Sequence, residues 1–432
     1  MIIRPPREPK IVSWLLVVLW SAFIFYTITA ALDIRDKVDG EYGKNFVKYF
    51  VMGMAAVGAV WSVIIIVVNR ARYNWFNYVA LTALLGLYVY SVNYIYKSPE
   101  HSRWESMHFV QYGVLAVFMF RAVAQSLHDW GAFVVALVLT IIHGAIDETV
   151  QWAHVDRYWD FGDLVLNGYS ATLALLMIGL GLKPAYFSGL TRKSSSVALS
   201  SLSLFLIYLG MCCANTAAWT PWFGNYFPSV AEGSALDGPM AEYGYLYEDE
   251  DINVVFKSRL NPKELEIADE KRGAEAARIC PSQKSQTLNP NAYKQFLLDY
   301  NPSNDPWLHE LRVHLYSRDK NEQRVREQIA EPKDDYPDKV ASMIHEDRIL
   351  QKYYPTFYEA YNLALDPGFA EEVKGKMREG TYHSRVSRNL ITHTNLEEIL
   401  IWIGSLLLLC MVTNIITGLW GKPTFVDPDA IA

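Results

Sequence analysis

Apolar blocks of about 20 residues, the length of helix needed to cross roughly 30 Å of hydrocarbon, recur along this chain. They fall at residues 11–31, 46–69, 75–95, 105–125, 130–150, 162–182, 196–214 and 396–419. In hydrocarbon the backbone amides must find partners inside the membrane, and blocks about twice as long as a barrel strand do so as helices. The composition agrees, with 51% hydrophobic residues, 13 Trp and 27 Tyr, the aromatics being residues that collect at membrane interfaces. The expected fold class is therefore all-α: a polytopic transmembrane helical bundle of about eight spans, with a mostly helical extracytoplasmic domain between the last two.

Arg4, Arg7 and Lys10 precede the first block, as in a secretory signal. Its apolar run is about twice the usual signal length and ends without a small-x-small site, so it is read as an uncleaved anchor. With the N-terminus inside, Arg4, Arg7, Lys10, Arg70, Arg72, Arg121, Lys183, Arg192 and Lys193 all fall in cytoplasmic segments, and the opposite parity gives little such bias. Both termini are expected in the cytoplasm and residues 215–395 outside. The chain then divides into two N-terminal helices (1–74), a polar-rich transmembrane region (75–182), a seventh helix (183–214), the extracytoplasmic domain (215–395), and a last helix with a short cytoplasmic tail (396–432).

Composition changes sharply after WTPWFGNYFPSV, where Trp219, Trp222, Phe223 and Tyr226 read as an interfacial belt. The charged stretch beyond it reads as helical, with Asn-Pro and Asp-Pro pairs placing a cap residue before a proline in the first turn. At about 180 residues it is long enough to build a core of its own. Glu248-Asp249-Glu250-Asp251 reads as a solvated loop, since an EF-hand would need a central glycine and a closing glutamate. A bridge from Cys212 or Cys213 to Cys280 is one option in an oxidising compartment. The net charge of −7, without a basic stripe, argues against a nucleic-acid partner.

The polar residues that interrupt the spans carry the functional argument. In DETVQWAHVDRYWDFGDLVLNGYS, Asp147, Glu148, Gln151, Arg157, Asp160, Asp163 and Asn167 sit where two apolar helices meet. A charged side chain in hydrocarbon costs roughly 2.5–3.5 kcal/mol on insertion scales, so such a cluster pairs internally or faces water. At about 100° per residue, His143, Asp147, Gln151 and His154 share one stripe of the fifth span, and Asp160, Asp163 and Asn167 share one at the start of the sixth. Glu148 points about 100° away from Asp147, toward another helix or the headgroup layer. Glu105, His108 and Tyr112 share a face of the fourth span, so three helices direct polar groups toward one pocket at the expected outer face.

The pattern Glu105-x-x-His108-x-x-x-Tyr112-Gly113-x-Leu115, followed by Asp147-Glu148-x-x-Gln151, Arg157, Asp163 and Asn167, resembles the VanZ-like family of membrane proteins. The likeness covers residues 75–182, about a quarter of the chain. It implies a bacterial cytoplasmic (inner) membrane protein of the cell envelope, in a family whose founding member is associated with glycopeptide (teicoplanin) resistance. One departure stands out: Glu105-Ser106-Met107 precedes His108 where the family often has an Asp-Lys pair.

Four chemistries fit these residues. Arg157, Gln151 and Asn167 suit recognition of a lipid headgroup or envelope precursor. His108 with Asp147 or Glu148 suits acid–base catalysis. His143, Asp147 and His154 share a face as metal ligands would. Pairing of Arg157 with Asp160 or Asp163 suits a structural network. His309-Glu310-Leu311-Arg312-Val313-His314 resembles H-E-x-x-H, but its second His lies about 140° around the helix instead of about 40°, so both are read as surface or packing histidines. His345, His383 and His393 carry no motif. There is no Gly-rich phosphate loop, G-x-S-x-G elbow, kinase signature or C-x-x-C-H haem attachment. No cofactor is assigned, because pigments, quinones and lipids bind between helices without a readable motif. Membrane lipids are the expected partners. Two function classes remain: an envelope factor engaging a lipid or precursor, and an accessory subunit of a larger membrane assembly that docks through residues 215–395.

Overall fold

The computed structural model describes residues 8–43, 45–97, 103–153, 159–184, 187–219, 222, 225–226, 239–280, 300, 302, 304–333 and 335–419. These form two compact units, one holding the first seven spans and the last, the other holding residues 212–399.

In the first unit, α1 (Lys10–Glu41), α2 (Phe46–Val68), α3 (Trp75–Lys97), α4 (His108–Val123), α5 (Gly131–Trp152), α6 (Phe161–Leu176) and α7 (Arg192–Ala214) are joined by the last helix of the chain, Leu396–Leu419. A 3₁₀ turn at Arg103–Met107 leads into α4 and a π-helical turn at Met177–Leu182 extends α6. With these turns the described residues supply 8 helices long and apolar enough to cross a membrane, matching the expected blocks within a few residues. The end of the sixth span shows how a helix terminus is satisfied without water. The Asn77 amide donates to the Leu180 carbonyl at 2.7 Å and the Tyr73 hydroxyl donates to Leu182 at 2.9 Å, taking up carbonyls that a helix end leaves open.

Helices α4, α5 and α6 pack against one another around Tyr112, Leu115, Ala116, Met119, Ala132, Ala136, Ala171 and Leu175. Alanines at these contacts let the backbones approach closely, which favours association where lipid offers no hydrophobic driving force. Val17 and Ile24 of α1 join the same core, and the Trp20 indole donates to the Gln111 carbonyl at 2.8 Å.

The second unit differs from the helical expectation by a small sheet. β1 (Tyr245–Asp249) and β2 (Val254–Ser258) form an antiparallel hairpin, and β3 (Tyr382–His383) pairs parallel to β2. The acidic run is the end of β1 and the hairpin turn. Glu248, Glu250 and Asp251 are exposed, but Asp249 is buried and accepts from the Tyr353 hydroxyl at 2.7 Å and the Lys352 ammonium at 2.6 Å. A buried carboxylate satisfied by two long side chains is invisible to a reading based on charge density.

Among the described residues five helices accompany the sheet: α8 (Pro262–Ile279), α9 (Pro306–Gln328), α10 (Tyr336–Tyr353), α11 (Pro355–Tyr361) and α12 (Pro367–Lys374); the last span is α13 (Leu396–Leu419). Each of α8 to α12 carries proline in its first turn, and Asn261, Asp305 and Asp366 cap three of them as their Asn-Pro and Asp-Pro pairs indicate. α11 is capped from another helix: Asp269 of α8 accepts the Thr356 and Phe357 amides at 2.7 and 3.2 Å. The four cysteines are buried and none is in a disulfide, so the bridge considered between Cys212 or Cys213 and Cys280 is not formed.

α8 and α11 pack tightly at Gly273, since a Cβ there would stand 2.6 Å from the Phe357 amide nitrogen. Gly273→Ala is expected to cost about 1–3 kcal/mol by overpacking. Thermal unfolding of the full chain, read through proteolysis within residues 240–399, should shift down by several degrees. An unchanged midpoint would contradict this packing.

Candidate functional site

The polar end of the α4–α5–α6 bundle is assembled by helix ends that meet. α4 begins at His108, α5 ends at Trp152 and α6 begins at Phe161, so the start of two helices lies beside the end of the third. Asp160 caps α6, accepting the Gly162 amide at 2.7 Å. Its own backbone amide donates to Glu148 Oε2 at 3.2 Å. Glu148 therefore reaches another helix, as one of its two expected destinations, and is fully buried there.

Two connected chains of hydrogen bonds follow. Along α5, the Gln151 amide donates to Glu148 Oε1 at 2.9 Å and to Asp147 Oδ2 at 3.3 Å, and the Tyr112 hydroxyl of α4 donates to the same Asp147 oxygen at 2.7 Å. Between α4 and α6, His108 Nδ1 meets Asn167 Oδ1 at 2.6 Å. Because that oxygen only accepts, Nδ1 is the donor in this contact. His108 Nε2 then faces Asp163 at 3.7 Å. The His108 and Tyr112 rings stack at 5.9 Å, which holds the two chains side by side.

Several polar atoms at this end have no hydrogen-bond partner among the described residues. Asp147 Oδ1 and Asn167 Nδ2 are buried without a hydrogen bond, as are both nitrogens of His143. His143 lies between aromatic rings, stacked on Phe25 of α1 at 4.9 Å and edge-on to Tyr112 at 6.1 Å. Gly144 provides the room for Asn167, because a Cβ there would stand 3.1 Å from Asn167 Nδ2 and 3.4 Å from the Tyr112 ring.

Of the residues expected from sequence, His108, Tyr112, Asp147, Glu148, Gln151, Asp163 and Asn167 are brought together. Glu105 is half-buried in the 3₁₀ turn before α4 and takes no part in the bonds just described. Arg157 and His154 lie outside the described residues. Among the described residues no three His, Cys, Asp or Glu side chains gather as metal ligands. Sequence reasoning missed Phe25, which belongs to a helix distant in sequence, and Gly144, which only the facing Asn167 makes necessary.

A second polar interior was also missed. On α9, Glu310, His314 and Arg318 recur every fourth residue and so share one face, which α10 meets with Glu346 and Asp347. His314 Nδ1 lies 2.6 Å from Glu346 Oε2, while Glu346 Oε1 accepts from the Tyr382 and Ser384 hydroxyls at 2.8 and 2.7 Å. Arg318 donates to Asp347, Asp319 and the Leu363 carbonyl at 3.0, 2.6 and 2.6 Å. Glu310 is taken by Ser258 and Arg259. The H-E-x-x-x-H stretch thus sends its glutamate and its second histidine to different partners, and His309 is half-buried.

Comparison with protein-family models, curated proteins and solved structures finds no match for this chain.

Burial, with a nearby arginine adding to it, pushes the His309 and His345 imidazoles down to about 4. In the unfolded chain they take protons near the ordinary value of about 6.5. The second unit should be fully stabilised by them above that pH and lose stability as pH falls from about 6.5 toward 4, where only the unfolded chain gains the protons. Thermal midpoints of the second unit across this window check it. His345→Phe should flatten the profile relative to wild type, and an identical slope in the variant would count against the assignment.

Proposed function

We propose that this chain is a VanZ-like, multi-pass protein of the bacterial cytoplasmic membrane, with both termini cytoplasmic. Its polar pocket holds the headgroup of a lipid or lipid-linked envelope precursor at the outer leaflet. The observation that carries this reading is the pair of buried, unpartnered atoms Asp147 Oδ1 and Asn167 Nδ2. An unbonded polar atom away from water costs about 1–3 kcal/mol, and more on a charged group. A ligand offering one donor and one acceptor satisfies both: a hydroxyl or amine to Asp147, and a phosphate or carbonyl oxygen to Asn167. Three carboxylates, Asp147, Glu148 and Asp163, favour a headgroup rich in hydroxyl or amine donors. The likeness of residues 75–182 to the VanZ-like family supports the same reading.

One observation favours a second reading. Both oxygens of Glu148 are already bonded within the chain, as a polar clamp between helices would require. In that case the protein is an accessory subunit docking onto other membrane proteins through residues 215–395.

Mass spectrometry of what co-purifies with the full-length protein, extracted from its native membrane in mild detergent, separates the two. A ligand-holding pocket retains one defined lipid or precursor. Gly144→Ala, which puts a methyl group against the Asn167 amide, and Asp147→Asn should each lower its occupancy by about tenfold or more, the ratio of 1.4 kcal/mol, with the protein still in the membrane. Wild-type protein carrying stoichiometric protein partners and no such lipid would establish the accessory reading. Variants retaining the lipid in full would remove it from this pocket.

A further inference from the structure

The outward faces of α7 and α13 leave a groove that the pocket above does not involve. The two helices approach closely near one end, where a Cβ on Gly210 would stand 3.6 Å from Ile403. Toward the other end they part, leaving a space of about 310 Å³ lined by Arg192 and Ser196 of α7 and by Met411, Asn414, Ile415, Thr417 and Gly418 of α13. The lining is helical in spacing: Arg192 and Ser196 are one turn apart, and Met411, Asn414, Ile415 and Gly418 form one stripe.

The groove has chemistry of two kinds. Its far end carries the guanidinium, which reaches across to Gly418 so that a Cβ there would lie 3.5 Å from Arg192 Nη2, together with the hydroxyls of Ser196 and Thr417 and the Asn414 amide. Its other end, toward mid-span, is walled by Met411 and Ile415, both exposed. The buried carboxylate bonded to the residue just before Arg192, Asp129, accepts the Thr191 amide and hydroxyl at 3.0 and 2.6 Å and the Gly131 amide at 2.9 Å. No ion pair of Arg192 is found among the described residues. Arg192 and Gly418 are respectively the first and last residues of their spans, which is the depth at which headgroup phosphates lie.

We propose that this groove binds one anionic glycerophospholipid, with its phosphodiester on Arg192 and the polar groups beside it and an acyl chain along Met411 and Ile415. Free phosphate would use only the charged end, so the apolar wall selects the lipid as the source of the anion. A basic residue at a membrane surface contributes about 1 kcal/mol toward anionic lipid, or roughly a fivefold preference.

Native mass spectrometry of the full-length protein, supplied with equal phosphatidylglycerol and phosphatidylcholine, tests the proposal. Wild type should retain one phosphatidylglycerol in preference, unaffected by excess inorganic phosphate, and Arg192→Gln should lose most of that preference while Arg192→Lys keeps part of it. If Arg192→Gln does not fold, Gly418→Leu, which fills the groove and keeps the guanidinium, should give the same loss. Equal retention of the two lipids by wild type, an unchanged preference in Arg192→Gln or Gly418→Leu, or displacement by inorganic phosphate would each overturn it.

Discussion

Two adjacent carboxylates on one apolar helix, Asp147 and Glu148, set the arrangement of the helices around them. Each stands inside a bundle where the usual recourse of a charged group, water, is excluded. The donors that reach them come from three directions: Tyr112 from α4, Gln151 from the next turn of α5, and the backbone amide of Asp160 at the start of α6. Those bonds fix how far each helix is rotated and at what depth it lies. The alanine contacts deeper in the bundle permit many rotations; the carboxylates allow few.

The network is complete at Glu148 and incomplete at Asp147 and Asn167, and that asymmetry is the basis of the functional reading. A network built only to pin helices would be expected to satisfy all its members, because a half-satisfied buried network is worse than an apolar core. The interior of the second unit makes the contrast. There both oxygens of Glu310, Glu346 and Asp347 are met by donors, and the unpartnered buried atom of that layer is His314 Nε2 and not a carboxylate oxygen. The same chain can satisfy buried carboxylates fully where binding is not at issue.

Much of this is legible in the amino-acid sequence. Span length and apolarity are set by the bilayer, so the transmembrane helices followed from length alone, and Asn-Pro and Asp-Pro pairs marked helix starts in the charged region. Helical periodicity gathered His108, Tyr112, Asp147, Gln151, Asp163 and Asn167 onto facing stripes. What escaped depends on contacts between segments distant in sequence. The sheet at Tyr245–Asp249 and Val254–Ser258 is short and was masked by its acidic turn. The recurrence of Glu310, His314 and Arg318 went unread because its partners lie at the end of β2 and on α10. The role of Gly144 exists only once Asn167 stands opposite it.

Cryo-electron microscopy of the full-length protein in native-lipid nanodiscs would test the central claim most directly. The account predicts non-protein density within hydrogen-bond distance of both Asp147 Oδ1 and Asn167 Nδ2, extending toward the membrane surface. Finding those two atoms bonded instead to side chains of this protein, with no density between α4, α5 and α6, would contradict it.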